Sequence, residues 1–256
     1  MTISQLVASP WFAAAVFFLV AYAYSGVGLG GGSAYTALLA ILGFDALSIP
    51  TISLLLNLMV TTVGSINFIR NRHARLGLVL PFLVSSMPMA YVGGALQLPA
   101  EVFYWVLLLS LMFILVRLYL WNDVSLRLNL GAAQRLAVSL LAGGVLGLLA
   151  GIVGIGGGIY LVPLIIILGL GNAKQAAACG AIFVWLNSLS GLLARLQYNA
   201  IDLSNYLPLI CAVLLGGALG SWMGAGSYSP RTMERLLGGV VAVAIIFLVP
   251  KLLPVL

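Results

Sequence analysis

Six apolar stretches, each close to the length of a bilayer crossing, run over residues 50–69, 77–97, 102–121, 176–196, 204–224 and 235–250. A crossing takes roughly 20 residues of helix. Lipid offers backbone groups no hydrogen-bond partner, so these stretches must be helical. The connections between them are short: RNRHAR at 70–75, LPAE at 98–101, WNDVSLRLN at 121–129 and GSYSPRTMER at 226–235. None of them holds a soluble domain. Composition agrees, because only 6% of the 256 residues are charged, whereas a water-facing surface draws on roughly a quarter. A soluble globule, a disordered chain and a nucleic-acid-binding module are excluded. The expected class is an all-α polytopic membrane protein whose first partner is the lipid bilayer. The net charge of +6 then serves to orient the chain.

Two further segments are broken by glycine. Residues 10–24 lead into Ser25-Gly-Val-Gly-Leu-Gly-Gly-Gly32 and then a short apolar piece, 33–44. Residues 136–150 lead into Gly151-Ile-Val-Gly-Ile-Gly-Gly-Gly158 and then 159–170. Pieces of about 12–15 residues reach only roughly 18–22 Å as helix. A helix–loop–helix hairpin dipping into the bilayer is the preferred solution for each. The two breaks also expose an internal repeat. Gly28-Leu-Gly-Gly-Gly32 and Gly154-Ile-Gly-Gly-Gly158 lie 126 residues apart, and Ile41-Leu-Gly43 returns as Ile167-Leu-Gly169 at that offset. Pro81 and Pro208, and Gly64 and Gly191, are 127 apart. We expect two homologous halves, 1–130 and 131–256, each with one Gly-broken hairpin and three transmembrane helices.

Charge tests the topology. With returning hairpins, Arg70, Arg72, Arg75, Arg117, Arg127, Arg135, Lys174, Arg231 and Arg235 share one face, and Arg195 and Lys251 the other, a split of nine to two. If each broken segment crossed once, the split would be eight to three. The positive-inside rule accepts both and leans to hairpins, which make the repeats inverted and put both termini outside. The first ten residues hold no Lys or Arg, so the pattern of a cleaved signal is missing.

The glycine breaks carry the functional expectation. A literal G-x-G-x-x-G at Gly26–Gly31 lacks the strand and soluble βαβ unit that a dinucleotide loop needs, and no cofactor is expected. Short helices starting near Ser33 and Ile159 would instead aim unpaired N–H groups at the loops, and helix starts bind anions without a charged side chain. Broken helices meeting at a repeat interface are a common way to build a transport site. The alternative use of glycine is close helix packing. The four-spaced stripes Gly143, Gly147, Gly151 and Ala212, Gly216, Gly220, Gly224 suit an internal interface or a homodimer. Candidate substrate-binding residues are therefore Gly30, Gly31, Gly32 and Ser33 in the first loop, and Gly156, Gly157 and Gly158 in the second. Tyr35 and Tyr160 follow the glycine triplets and could wall a pocket or simply pack. Asn57, with Thr61 and Thr62, and Asn187, with Ser188 and Ser190, are intramembrane polar groups that face either a cavity or another helix. Gln175 opens the second-half helix.

Arg195 ends a span on the charge-poor face, where it either snorkels to the interface or gates an anion. Asp45, Glu101, Asp123, Asp202 and Glu234 all fall at or near segment ends, which disfavours a proton relay or a cation carrier. His73 sits in an arginine-rich loop, and Cys179 and Cys211 have no metal-ligand spacing. An enzyme finds no catalytic grouping here.

The residues Gly28–Gly32, the run Gly151–Gly158 with Ile-Tyr-Leu-Val-Pro163, and Lys174–Phe183 leading into Asn187-Ser188 resemble the TauE/SafE/YfcA membrane proteins, the sulfite exporter (TSUP) family, over nearly the whole chain. That resemblance implies movement of small sulfur-containing anions such as sulfite, sulfoacetate or other organosulfonates, usually outward across the bacterial inner membrane. A sulfonate is a tetrahedral oxyanion that suits N–H groups at helix starts. A carrier of another small solute, and a non-transporting membrane scaffold, are the other readings.

Overall fold

The computed structural model describes residues 10–26, 28–120, 131–198 and 206–224, with four further positions within 242–249. Among the described residues there are nine helices and no strand: α1 (Pro10–Ser25), α2 (Gly32–Ile41), α3 (Ser48–Arg70), α4 (Leu76–Ala95), α5 (Ala100–Leu120), α6 (Ala132–Val153), α7 (Gly158–Ile167), α8 (Ala173–Leu196) and α9 (Leu207–Gly224). Five of the six expected spans appear as helices within a few residues of their sequence bounds. The sixth, 235–250, falls almost entirely outside the described residues.

Among the described residues four helices, α3, α4, α6 and α8, are long and apolar enough to cross a membrane. One of them differs from the sequence reading. The leg before the second break, expected over 136–150, runs 22 residues from Ala132 to Val153. Gln134 Oε1 accepts the Gly131 N–H at 3.0 Å, which starts the helix four residues early. Leu80 and Val84 on α4, and Leu141 and Val145 on α6, stay more than half exposed. In water such a surface would aggregate; it suits lipid.

Glycine stripes set how the helices meet. Gly143, Gly147 and Gly151 of α6 press on the backbones of Phe82, Ser86 and Ala90 of α4. Both partners advance by four at each step, so α4 and α6 run parallel. Ser85 Oγ adds a bond to the Leu140 carbonyl at 2.7 Å. Gly216 and Gly220 of α9 meet Phe18 and Tyr22 of α1 in the same parallel fashion. In lipid, close backbone approach is what van der Waals association of helices needs. The two stripes are used inside the chain.

Other contacts fix the remaining directions. Cys179 and Ser190 of α8 reach the carbonyls of Arg75 and Met87, so α8 runs with α4. Gly217 packs on Val60 and Asn67 donates to Ser221, so α9 runs with α3. Trp185 donates to Thr62 while Leu54 lies on Gly191, so α3 and α8 are antiparallel. Hence α1, α3 and α9 point one way and α4, α6 and α8 the other. The short helices run against their successors: Gly32 and Thr36 of α2 face Asn57 and Ser53 of α3, and Gly158 and Val162 of α7 face Val184 and Gly180 of α8. Each glycine break therefore turns the chain back. The backbones of the legs pack mainly on α9, α3, α4 and α8, and in the first hairpin the two legs meet through side chains, Phe17 with Tyr35 and Tyr24 with Ser33.

Candidate functional site

The two breaks match in backbone at two glycines and differ at a third, since Gly156 has φ of 78° and Gly30 lies outside the left-handed region. Gly28 and Gly31 have φ of 76° and 94°, and their counterparts Gly154 and Gly157 have 82° and 81°. Positive φ is open to glycine and costly for other residues. Each loop docks on the opposite half. Gly28 lies against the backbone of Ala177, and Gly154 against that of Pro50, two positions 127 apart. A Cβ on Gly154 would stand 2.6 Å from Pro50 Cα, and one on Gly28 2.6 Å from the Ala177 carbonyl carbon.

The loops also meet each other. Gly32 abuts Asn57 and the Ile155 carbonyl, while Gly158 abuts Val184 and Leu29. Gly30 and Gly156 both touch Asn57 and Val184. Seven of the expected residues, Gly30, Gly31, Gly32, Asn57, Gly156, Gly157 and Gly158, thus line or flank one junction near mid-helix in α3 and α8. Ser33 is beside it, with Oγ 3.1 Å from Tyr24 Oη.

Both short helices begin here, one residue earlier than expected, at Gly32 and Gly158. Their N-caps are Gly31 and Gly157, and neither start is capped by a side chain. The first turn of a helix leaves N–H groups without intrahelical partners. In α2 the first such bond is from Tyr35 N to Gly31 O, and in α7 from Tyr160 N to Gly157 O. Two sets of donors therefore converge on a buried junction.

The side chains around it are unequal between the halves. Asn57 is fully buried, donates Nδ2 to the Gly154 carbonyl at 3.2 Å and leaves Oδ1 without a partner. Its repeat counterpart, at an offset of 127, is Val184. Thr36 and Ser53 belong to no motif in the sequence, yet they join Asn57 in bonding the loop carbonyls. Their counterparts are Val162 and Gly180. The signal was available as polar residues that break an otherwise apolar repeat. Ser188, whose Oγ faces Gly156 and has no partner, belongs to the same junction.

Four candidates are placed elsewhere or used differently. Tyr35 stacks on Phe17 at 5.4 Å beneath Gly31, with its hydroxyl buried and unpartnered. Tyr160 packs on Phe113 of α5 and reaches the Ser110 carbonyl at 3.5 Å. Asn187 bonds back to the Phe183 carbonyl and leaves Oδ1 unpartnered. Gln175 is spent on a capping box with Asn172, each bonding the other's backbone N–H. The spacing Asn-x-x-Gln before an apolar run is itself a helix-start signature.

Arg195 neither snorkels nor points into solvent. Only 4% exposed, it donates to the carbonyls of Gly151 and Ile152 at the end of α6. A cation at a helix C-terminus satisfies orphan carbonyls and the dipole together. Among the described residues no cluster of His, Cys, Asp or Glu could hold a metal.

The family model described as Sulfite exporter TauE/SafE matches residues 13–248. A curated relative, "Probable membrane transporter protein y4hK" of Sinorhizobium fredii, is 33% identical over 235 residues, covering 90% of this chain and 94% of the relative. No solved structure matches the chain.

Proposed function

The chain belongs to the sulfite exporter TauE/SafE family, a family of membrane transporters, and on that premise we propose that it exports small sulfur-containing anions through the junction of its two glycine breaks. Sulfite, sulfoacetate and other organosulfonates are the substrate class. The observation that carries this reading is the convergence of two uncapped, buried helix starts, at Gly32 and Gly158, on Asn57 and Val184. Such donors favour a tetrahedral oxyanion by about 0.3–1 kcal/mol per helix when exposed, and up to ~2 kcal/mol when partly buried. The binding set is Gly30, Gly31, Gly32, Ser33, Asn57, Gly156, Gly157 and Gly158. The absence of a lysine or arginine among them favours release, since a tightly held ion is moved slowly.

The two halves act as inverted repeats. Supporting this are the opposed directions of α1 and α6, and of α3 and α8, which occupy equivalent places in the repeat. Arg70, Arg72, Arg75, Arg135 and Lys174 then gather at one end of the helices, which the positive-inside rule assigns to the cytoplasm of a bacterial inner membrane. Alternating exposure of the junction follows from one half rocking on the other.

Equilibrium binding of sulfite, sulfoacetate, taurine, sulfate and chloride to the purified protein tests the substrate class. Proteoliposome flux with wild type and Asn57→Val tests the site. Selective sulfite or sulfonate binding that the variant loses supports the reading. Flux of sulfite by Asn57→Val at the wild-type rate overturns the site, and selective binding of a neutral or cationic solute instead overturns the substrate class.

A further inference from the structure

Beside the junction lies a cluster of neutral oxygens. Thr36 Oγ1 stands 2.7 Å from Gly32 O, 2.9 Å from Ser53 Oγ and 3.4 Å from Val153 O. Ser53 Oγ stands 3.2 Å from Gly32 O and 2.9 Å from Gly154 O. These five oxygen–oxygen contacts share only the two hydroxyl protons of Thr36 and Ser53. Sharing each proton between two acceptors still leaves one contact bare. Gly154 O also takes the Asn57 amide, and Asn57 Oδ1 is a further buried acceptor with no donor. The cluster has more lone pairs than hydrogens.

The protein supplies its own control. At the repeat-related place, Val162 packs on Gly180 where Thr36 meets Ser53, and Val184 stands for Asn57. The same joint is therefore built in the other half without a single side-chain oxygen. Packing does not require Thr36, Ser53 or Asn57, and the buried Asn57 Oδ1, which has no donor, costs about 1–3 kcal/mol. A ligand that accepts lone pairs would repay that cost.

We propose that Gly32 O, Thr36 Oγ1, Ser53 Oγ, Val153 O and Gly154 O, with Asn57 Oδ1 beside them, bind one sodium ion. Val153 and Gly154 end α6, so their carbonyls lie at the negative end of its dipole. Exposed carbonyls at broken-helix ends are recognised ligands of sodium in transporters. The ligand set is uncharged, which disfavours a divalent ion that would need carboxylates, and the close oxygen spacing favours the smaller alkali ion. Missing carboxylates disfavour a cation in the sequence, but backbone and hydroxyl oxygens supply the site without them. The ion holds α2, α3 and the end of α6 together, and its charge offsets that of an anion at the neighbouring helix starts. It need not drive export, because an inside-negative potential already favours an anion's exit by about 2.3 kcal/mol per 100 mV.

This proposal rests on oxygen geometry and stands apart from the identity of the transported solute. The test is binding of radioactive sodium to the purified full chain without any sulfur anion, alongside melting in sodium, potassium and choline chloride at equal ionic strength. We expect saturable binding of one ion per chain, and a higher melting temperature in sodium than in choline. The variant Thr36→Val/Ser53→Gly copies the other half's joint and should weaken sodium binding ~10-fold or more while melting like wild type in choline. If that variant does not fold, Ser53→Ala is read in its place. A folded wild type that binds no sodium overturns the proposal, as does undiminished binding by the folded variant. Sodium binding with no affinity for sulfite would overturn the proposed function and leave the ion site standing.

Discussion

The guanidinium of Arg195 holds the carbonyl of Gly151 with two hydrogen bonds, from Nη2 at 2.9 Å and Nε at 3.3 Å. Nη2 also reaches Ile152 O at 2.9 Å. This ties α8 to the last turn of α6, just before the chain folds back at Gly154. A lysine brings charge but no planar fork. Charged hydrogen bonds contribute about 1.5–3 kcal/mol each, so Arg195→Lys should destabilise by ~1–2 kcal/mol. Arg195→Ala should cost more, since it leaves the carbonyls without a donor. Thermal unfolding of the detergent-purified variants measures both; equal stability of all three proteins would show that the tie is idle.

Neighbouring glycines on α6 should respond in opposite ways. A Cβ on Gly147 would run into the Ser86 backbone, which has no room to give, while one on Gly144 meets Met89 and Ser85 side-chain atoms at 3.8 and 3.9 Å. Gly147→Ala should cost about 1–3 kcal/mol through overpacking. Gly144→Ala should be neutral or stabilise by up to ~1 kcal/mol through helix propensity. Unfolding midpoints of the pair check the prediction, and a similar loss at both positions would refute the close α4–α6 seam.

Much of this architecture is written in the glycines, because their roles are conformational. Gly28 and Gly154, Gly31 and Gly157, and Gly43 and Gly169 keep positive φ at a constant offset, so residue identity alone exposes the repeat. Side-chain direction is less legible. A lone arginine at the end of a span reads as a snorkelling group, and only the position of the α6 terminus reveals why Arg195 turns inward. Thr36 and Ser53 look like ordinary helix hydroxyls until α2 is folded onto α3. Gln175 shows the reverse case, because its Asn-x-x-Gln spacing with Asn172 is a readable helix-start signal and the structure uses it as a capping box.

Exchanging the side chains of the two repeat-related positions separates packing from binding. Asn57→Val installs the residue that already fits the equivalent joint, so the fold should change by less than about 1.5 kcal/mol, the lost bond to the Gly154 carbonyl being offset by removal of the unpartnered Oδ1. Loss of a hydrogen bond from the second Nδ2 proton to an anion, about 1.5–3 kcal/mol, should weaken sulfite binding roughly 10–100-fold. Val184→Asn should instead destabilise by ~1–3 kcal/mol through an unsatisfied buried amide. Calorimetric binding and thermal unfolding on both variants decide the matter. An Asn57→Val protein that fails to fold would mean that the amide is structural.

Lys174 and Tyr198 flank α8 and are both exposed, which makes them a direct test of whether the second break turns the chain back. With α6 and α8 parallel, Lys174 lies at the arginine-rich end with Arg75 and Arg135, and Tyr198 at the opposite end. A single crossing through the break would exchange the two. In a background without Cys179 and Cys211, the single-cysteine variants Lys174→Cys and Tyr198→Cys can be probed in intact cells with a membrane-impermeant maleimide. Because positive charge marks the cytoplasmic side, Tyr198→Cys should label from outside and Lys174→Cys only after permeabilisation. The opposite pattern would remove the inverted relation of the halves, and with it a transport cycle in which two opposed glycine breaks exchange one site between the two sides of the membrane.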